Sequence, residues 1–328
     1  MRPAKLKSQV FRIRGIMNQV INDIVNGVGT VLLGKERQVK LALACLFSKG
    51  HLLIEDLPGM GKTTLAQCLA KVLGLEYERV QFTSDLLPAD ILGAAIFDRE
   101  RSVFEFHSGP IFTQVLLADE VNRTTPKTQS ALLEAMEERQ VTIEGETRPL
   151  PEPFFVIATQ NPLSQAGTYP LPESQLDRFL MRISLGYPSE KTERELFKGV
   201  EPRERLKTLA PVVDVAQLQA IQAQVKAVKA SDQLLDYLQR IVELTRFNEH
   251  FTFGLSPRGA LALLHAAKAW ALIHHREYVL PEDVQAVLPS VVGHRVRGAQ
   301  LQEKKDVLLG NDAITDFILK NVDVIEAR

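Results

Sequence analysis

The sequence predicts an α/β core built on a parallel sheet, followed by a smaller all-helical unit. Three observations carry this reading. Short apolar runs alternate with helix-period segments over the first two thirds of the chain, the pattern of a parallel sheet covered on both faces. One of those runs leads straight into a glycine-rich loop and then a helix. From about Ser189 the periodicity becomes entirely helical. At 328 residues the chain is long enough for two domains with cores of their own.

The elements follow in order. Arg2, Lys5, Lys7, Arg12 and Arg14 precede a helical apolar pattern interrupted by Asn18, Asn22, Asp23 and Asn26. That is a poor secretory segment and reads as a basic helix solvated on one face. The strands are expected at Leu52–Ile54, Tyr77–Phe82, Val115–Ala118, Phe154–Ala158 and Met181–Leu185. Helices are expected at Thr63–Leu73 and Pro126–Glu138. Thr125 can cap the second, Pro126 suits its first position, and Leu132, Leu133 and Met136 form its buried stripe.

Two hairpins interrupt this rhythm. Ala94–Phe97 and Val103–His107 flank a polar turn, and Val141–Ile143 and Thr147–Leu150 flank Glu144-Gly145-Glu146. Phe97, Phe104 and Phe106 either pack the first hairpin on the core or present an adhesive edge. Beyond Ser189, Val215, Leu218, Ile221, Val225 and Val228 mark one amphipathic helix. Helices near Asp232–Arg246, Pro257–His274 and Pro281–Val292 form the last unit.

Lys plus Arg is 39 against 40 Asp plus Glu, a net charge of -1, which argues against coating nucleic acid or membrane by bulk charge. Aromatics are 6 % with one Trp, too few for a large base-stacking platform. No apolar run reaches the length of a membrane span. Cys45 and Cys68 lack metal-ligand spacing and suit reduced core residues of a cytoplasmic protein.

The chemistry concentrates in a few segments. Leu52–Glu55 leads into Asp56-Leu57-Pro58-Gly59-Met60-Gly61-Lys62-Thr63-Thr64 and a helix, the context of a phosphate-binding loop. Gly59 and Gly61 let several backbone N–H groups face one phosphate, and the helix N-terminus adds its positive end. Lys62 would reach the β- and γ-phosphates of ATP, and the Thr63 hydroxyl would ligate Mg²⁺. Asp56 stands where the full pattern has Gly. Val115–Ala118 ends in Asp119 and Glu120, at the sheet edge where such folds bind ligands. Asp119 would hold the metal's shell, and Glu120 would orient and polarise an attacking water.

Thr159-Gln160-Asn161-Pro162 ends the next apolar run. Asn161 can hydrogen-bond a water or phosphate there, although Asn-Pro is also an ordinary turn. Arg178 precedes the fifth run. Arg258 falls in the first turn of a helix capped by Ser256, where a cation opposes the helix dipole unless it faces an anion. Arg123 follows the acidic pair and either meets phosphate or holds its loop through a carboxylate. Most arginines form surface ion pairs, so order along the chain has to decide.

That order resembles an AAA+ ATPase. Ala118-Asp119-Glu120-Val121-Asn122-Arg123, Pro126–Glu138 and Gly167-Thr168-Tyr169-Pro170-Leu171-Pro172-Glu173 running into Gln175-Leu176-Asp177-Arg178-Phe179 resemble the MoxR family specifically. The resemblance covers nearly the whole chain. It implies an N-terminal helical segment at 1–30, an AAA+ αβα core with a five-stranded parallel sheet at 31–188, linker helices at 189–230 and a helical lid at 231–328. The hairpins would be the helix-2 insert and the pre-sensor-1 hairpin.

Further roles come from the family alone. Asn161 becomes sensor 1, Arg178 the arginine finger and Arg258 sensor 2, and Leu33-Gly34-Lys35 lines the adenine pocket. The Val215–Val228 helix would displace the lid, as in magnesium chelatase and MCM helicases. Such proteins form rings, commonly hexamers. They remodel client proteins or assist metal-cofactor insertion with von Willebrand factor A (VWA) domain partners. A nucleic-acid motor is the main alternative, but Glu144 and Glu146 make the second hairpin a poor phosphate grip. A non-catalytic adaptor would not need Glu120, Asn161 and Arg178 together.

Overall fold

The protein is described here by a computed structural model covering residues 3–162, 167–199, 202–298 and 307–325. Helices α1 (Pro3–Val31) and α2 (Glu36–Phe47) lead into β1 (His51–Glu55), α3 (Lys62–Val72), β2 (Tyr77–Gln81) and α4 (Pro88–Leu92). The first hairpin, β3 (Gly93–Asp98) and β4 (Val103–Ser108), precedes β5 (Val115–Asp119) and α5 (Pro126–Glu138). The second hairpin, β6 (Gln140–Ile143) and β7 (Glu146–Pro149), precedes β8 (Phe155–Gln160), α6 (Glu173–Leu176) and β9 (Phe179–Ile183). The remainder is helical apart from short bridges: α7 (Glu190–Phe197), α8 (Pro202–Thr208), α9 (Val215–Ala227), α10 (Asp232–Phe247), α11 (Pro257–Ile273), α12 (Pro281–Val292) and α13 (Val307–Asn321).

The five-stranded sheet has the order β2-β5-β8-β1-β9, with every neighbour parallel. The loops after β1, β5 and β8 therefore leave from one edge, and the starts of all five strands lie at the other. β1 and β5 are buried along their whole length, as a parallel strand between two helical layers must be. β2 is an edge strand, and its Glu78, Arg79 and Gln81 face solvent. The fifth strand starts two residues before the apolar run suggests. Phe179 pairs with His51, and Leu185 lies past the strand because its N–H goes to a carboxylate instead.

Capping accounts for the boundaries. Gly61 is left-handed and starts α3 one residue before the expected Thr63. Thr125 accepts from the Thr128 N–H at the start of α5, and Leu132, Leu133 and Met136 are buried as the stripe requires. The second half of α1 joins the core through Ile21, Ile24 and Val28 and packs on α3. The side chains of Arg2, Lys5, Lys7, Arg12 and Arg14 lie outside the described residues. Cys45 and Cys68 are free and buried.

Both hairpins are antiparallel, and Glu144 and Gly145 are both left-handed in the turn of the second. The three phenylalanines of the first divide between the two expectations. Phe106 packs edge-on against Phe112. Phe97 and Phe104 lean on each other at 5.2 Å and stay about half and more than half exposed, respectively.

Two buried histidines join the layers. His51 Nδ1 accepts from the Val156 N–H at 2.9 Å, and its Nε2 donates to the Met136 carbonyl at 3.2 Å. His294 Nε2 lies 3.0 Å from the Phe179 carbonyl and 2.8 Å from a guanidinium nitrogen of Arg295. Burial holds both neutral and lowers His51 to about 4, with nearby arginines acting in the same direction. An unfolded chain takes up these protons near pH 6.5 and the folded one does not, so stability falls as pH drops below 6.5. His51 alone removes about 2 kcal/mol between pH 6.5 and 5. Urea midpoints at the two pH values should show this, with a shallower dependence in His51→Gln.

Candidate active site

The loop from Asp56 to Gly61 turns from β1 into α3. Gly59 and Gly61 have φ of +83° and +90°, where a side chain is strained. A Cβ on Gly59 would meet nothing, so its requirement is conformational, not steric. No side chain caps α3, and its first N–H groups face the loop as they must to receive an anion. Pro58 is exposed, Met60 packs on the core, and Thr63 and Thr64 are partly buried in the first turn.

Lys62 is buried, and its Nζ donates to the Asp56 carbonyl at 2.5 Å. Burial lowers its pKa, opposed by Asp56, Asp119, Glu120 and Glu55. A buried cation of this kind gains from an incoming polyanion, which fits a triphosphate.

Asp56 replaces the glycine of the general pattern for a structural reason. Its Oδ2 accepts from the backbone N–H groups of Leu185 and Gly186, both at 2.7 Å, and from Ser184 Oγ at 3.0 Å. Its Oδ1 accepts from the Leu57 N–H at 2.8 Å. The carboxylate thus ties the end of β9 to the phosphate loop. Lys35 completes the clamp, donating to the carbonyls of Gly186 and Tyr187 at 3.0 and 2.6 Å. Gly34 beside it has φ +69°, and a Cβ there would lie 2.6 Å from Thr192 Oγ1 on α7. Asp56→Ala should cost about 3 kcal/mol, because it strands buried N–H donors. Thermal unfolding without nucleotide measures this, and an unchanged midpoint would refute the clamp.

The acidic pair ends β5. Asp119 Oδ1 accepts from Thr159 Oγ1 at 2.6 Å, and its Oδ2 accepts from both Nε and an Nη of Arg79, the shorter at 2.6 Å. Glu120 is left-handed at φ 57°, an uncommon conformation for a side chain of this size. Its N–H donates to Thr159 Oγ1 at 2.9 Å, and its carboxylate accepts from Gln81 at 3.0 Å and Arg123 at 2.9 Å. Arg123 therefore holds the catalytic-carboxylate candidate of its own loop. Asn161 follows β8 directly, and its carbonyl accepts from Asn122 at 3.4 Å. Buried Gln129 fixes the same loop by donating to the carbonyls of Val121, Thr124 and Tyr169.

Glu55 is a buried member that no motif signals. It accepts from Gln160 at 2.7 Å and from Arg182 at 2.8 Å, and Arg182 also donates to the Gly293 carbonyl at 2.8 Å. Gln81, Arg79 and Arg182 escape sequence reasoning because each acts through a strand neighbour distant in the chain.

Arg178 and Arg258 do not join this cluster. Arg178 precedes β9, whose first residue pairs with His51 at the start of β1, whereas the phosphate loop follows the end of β1. A strand of this length puts about 15 Å between them. Arg178 donates to the Leu133 carbonyl at 2.6 Å and lies 3.9 Å from Glu137. Arg258 pairs with the same Glu137 at 2.7 Å. Both arginines line a cleft of about 490 Å³ between core and α11, with Lys49, Arg139 and Asp177. One edge of the sheet thus carries phosphate-loop and acidic groups, and the opposite edge carries the two arginines.

Comparison with known proteins gives the family. Residues 51–181 match the ATPase family associated with various cellular activities (AAA), and residues 243–315 match the AAA lid domain. The chain is 46 % identical over 280 residues to YeaC of Bacillus subtilis, covering 85 % of this chain and 88 % of that protein. It is 44 % identical to Chaperone MoxR1 of Mycobacterium tuberculosis, over 82 % of this chain and 73 % of the relative. Protein MoxR of Paracoccus denitrificans is 33 % identical over 81 % of this chain and 85 % of its own. The crystal structure of a candidate ATPase from Cytophaga hutchinsonii superposes with a TM-score of 0.88 at 36 % identity, over 98 % of this chain and 99 % of that one. With a phosphate loop, acidic strand end and helical lid in one chain, and relatives of this extent, the protein is an ATPase of the MoxR family of AAA+ proteins.

Proposed function

We propose that this ATPase works as a ring homo-oligomer, a hexamer, whose ATP sites lie between protomers and whose turnover remodels client proteins. The separation of Arg178 and Arg258 from the phosphate loop of their own chain carries this reading. Arg178, and Arg258 paired with the Glu137 beside it, sit a strand's length, about 15 Å, from the loop of their own chain and would meet phosphate across an interface. Lys62 and the N–H groups of Gly59, Met60 and Gly61 bind the phosphates. Glu120 takes the proton of the attacking water once Gln81 and Arg123 release its carboxylate, and Asn161 orients that water. Arg178 and Arg258 of one protomer face the γ-phosphate of the next. Mg²⁺, when bound, would neutralise phosphate charge, and Thr63 and Asp119 would hold it; Thr159 and Arg79 fix the Asp119 carboxylate in place.

The clients are proteins, including metalloprotein complexes awaiting their cofactor, and a VWA-domain protein is the partner. The chaperone name of the Mycobacterium relative supports this reading. The second hairpin supports protein over nucleic acid: Arg148 is paired with Glu146 and lies 3.9 Å over the Phe106 ring, so it is not offered to phosphate. Among the described residues no helix is long and apolar enough to cross a membrane. The test is light scattering of Glu120→Gln protein with ATP and Mg²⁺, followed by identification of co-purifying proteins. A ring that retains a VWA-domain protein is expected. A monomer at every protein and nucleotide concentration would overturn the intersubunit site.

A further inference from the structure

Arg295 belongs to none of the motifs, yet its side chain is 3 % exposed and lies in the wall of the arginine cleft. It follows α12, in the lid. Its Nε donates to Asp177 Oδ1 at 2.6 Å. One Nη donates to the carbonyls of Asp177 and Phe179 at 3.2 and 2.6 Å. The other donates to the carbonyls of Leu180 and Val291 at 3.1 and 2.6 Å. Residues 177, 179 and 180 bracket Arg178, so one guanidinium holds the backbone on both sides of it.

The same group reaches the segment that carries Arg258. The second oxygen of Asp177 accepts from Ser256 Oγ at 3.3 Å, and Ser256 caps α11 by accepting from the Gly259 N–H at 3.0 Å. Gly259 lies against the stem of Arg295: a Cβ built on it would be 2.9 Å from Arg295 Cδ and 2.7 Å from Leu255. Arg295 therefore fixes both arginine-bearing segments at once. Burial makes a guanidinium costly, and Asp177 is its only carboxylate contact among the described residues. A Leu or Met would fill such a seam between core and lid without that cost, so the retained fork calls for a role in geometry.

We infer that Arg295 is the positioning residue for the arginine pair, setting Arg178 and Arg258 in the register at which a neighbouring protomer's phosphate meets them. The inference rests on the intersubunit reading above. A lysine keeps charge and stem but cannot serve this set of acceptors as a planar fork does. Arg295→Lys should keep its ATP affinity within about two-fold, because its own phosphate loop is on the opposite edge, and should lose at least ten-fold in kcat. Asp177→Asn is the milder variant, for use if Arg295→Lys fails to fold, with an expected three- to ten-fold loss.

Mixing separates positioning from damage. Lys62→Ala protomers lack a working phosphate loop but offer intact arginines. Mixed with Arg295→Lys they should give more ATPase activity than either variant alone, as a parallel mixture of Lys62→Ala with Arg178→Ala should. Wild-type turnover by Arg295→Lys, or loss of its ATP binding, would overturn the assignment. So would recovery in the Arg178→Ala mixture but not in the Arg295→Lys mixture, which leaves the intersubunit reading standing. Recovery in neither overturns both.

Discussion

Replacing Glu120 by Gln is expected to lower ATP turnover by two to four orders of magnitude while ATP affinity stays within a few-fold. A positioned general base supplies about that much, equivalent to about 3–5 kcal/mol of barrier. The substitution is unusually clean in this fold. Gln81 donates to the Glu120 carboxylate through its amide, and an amide oxygen at position 120 accepts the same bond. The backbone bond from residue 120 to Thr159 Oγ1 does not depend on the side chain. Position and packing therefore largely persist, and what is removed is basicity, together with the charge that pairs with Arg123. Single-turnover hydrolysis measured beside equilibrium nucleotide binding gives the two numbers. Near-normal hydrolysis by the variant would take the base assignment away from Glu120.

Arg178→Ala should be as severe, with a loss of about 10³ or more, the range attached to an arginine that meets a transferring phosphoryl group. Its signature differs from that of a phosphate-loop variant. Arg178 lies by the start of β1, so a protomer lacking it should still bind nucleotide through its own phosphate loop. On the proposed intersubunit site, the loss should fall on the protomer next door. Some structural cost is also expected, since Arg178 ties the β9 entry to the Leu133 carbonyl on α5. That bond is to a backbone oxygen at a partly exposed site and is worth about 1 kcal/mol. A drop in melting temperature beyond what 1 kcal/mol allows, together with a lost nucleotide affinity, would mark Arg178 as structural.

Much of this site is legible in the sequence because its chemistry is local. Gly59 to Thr64 form a contiguous loop and helix start, and Asp119 and Glu120 end a visibly apolar strand. The Thr125–Pro126 helix start and both hairpin turns are likewise set by neighbouring residues. What the sequence conceals depends on strand order. Which sheet edge carries Arg178 follows from β9 lying parallel beside β1, a pairing between segments more than a hundred residues apart. The same holds for Arg79 on Asp119, Arg182 on Glu55 and Arg295 around Arg178. Asp56 illustrates the opposite error: in the motif it reads as a missing glycine, and in the fold it supplies hydrogen-bond acceptors that hold β9. The second strand is expected at Tyr77–Phe82, but the sequence does not show that it lies at the sheet edge, where Glu78, Arg79 and Gln81 are in water.

The seam beneath the lid bears on how the molecule comes apart. Glu55, Arg182, Gly293 and Gln160 form a chain of polar contacts through it, with Arg182 and Glu55 each 10 % exposed or less. Around it, one apolar cluster runs without interruption from Ile54 and Met181 into Leu263, Val287 and Val291. Peeling the lid away would wet that cluster, break the Arg182 bond to the Gly293 carbonyl and expose the Glu55–Arg182 pair to water in one step, so neither half retains a finished core alone. Lid and sheet are then a single cooperative unit. Amides of α12 should exchange with solvent at the rate of the central strands, and proteolysis should find no early cut between them.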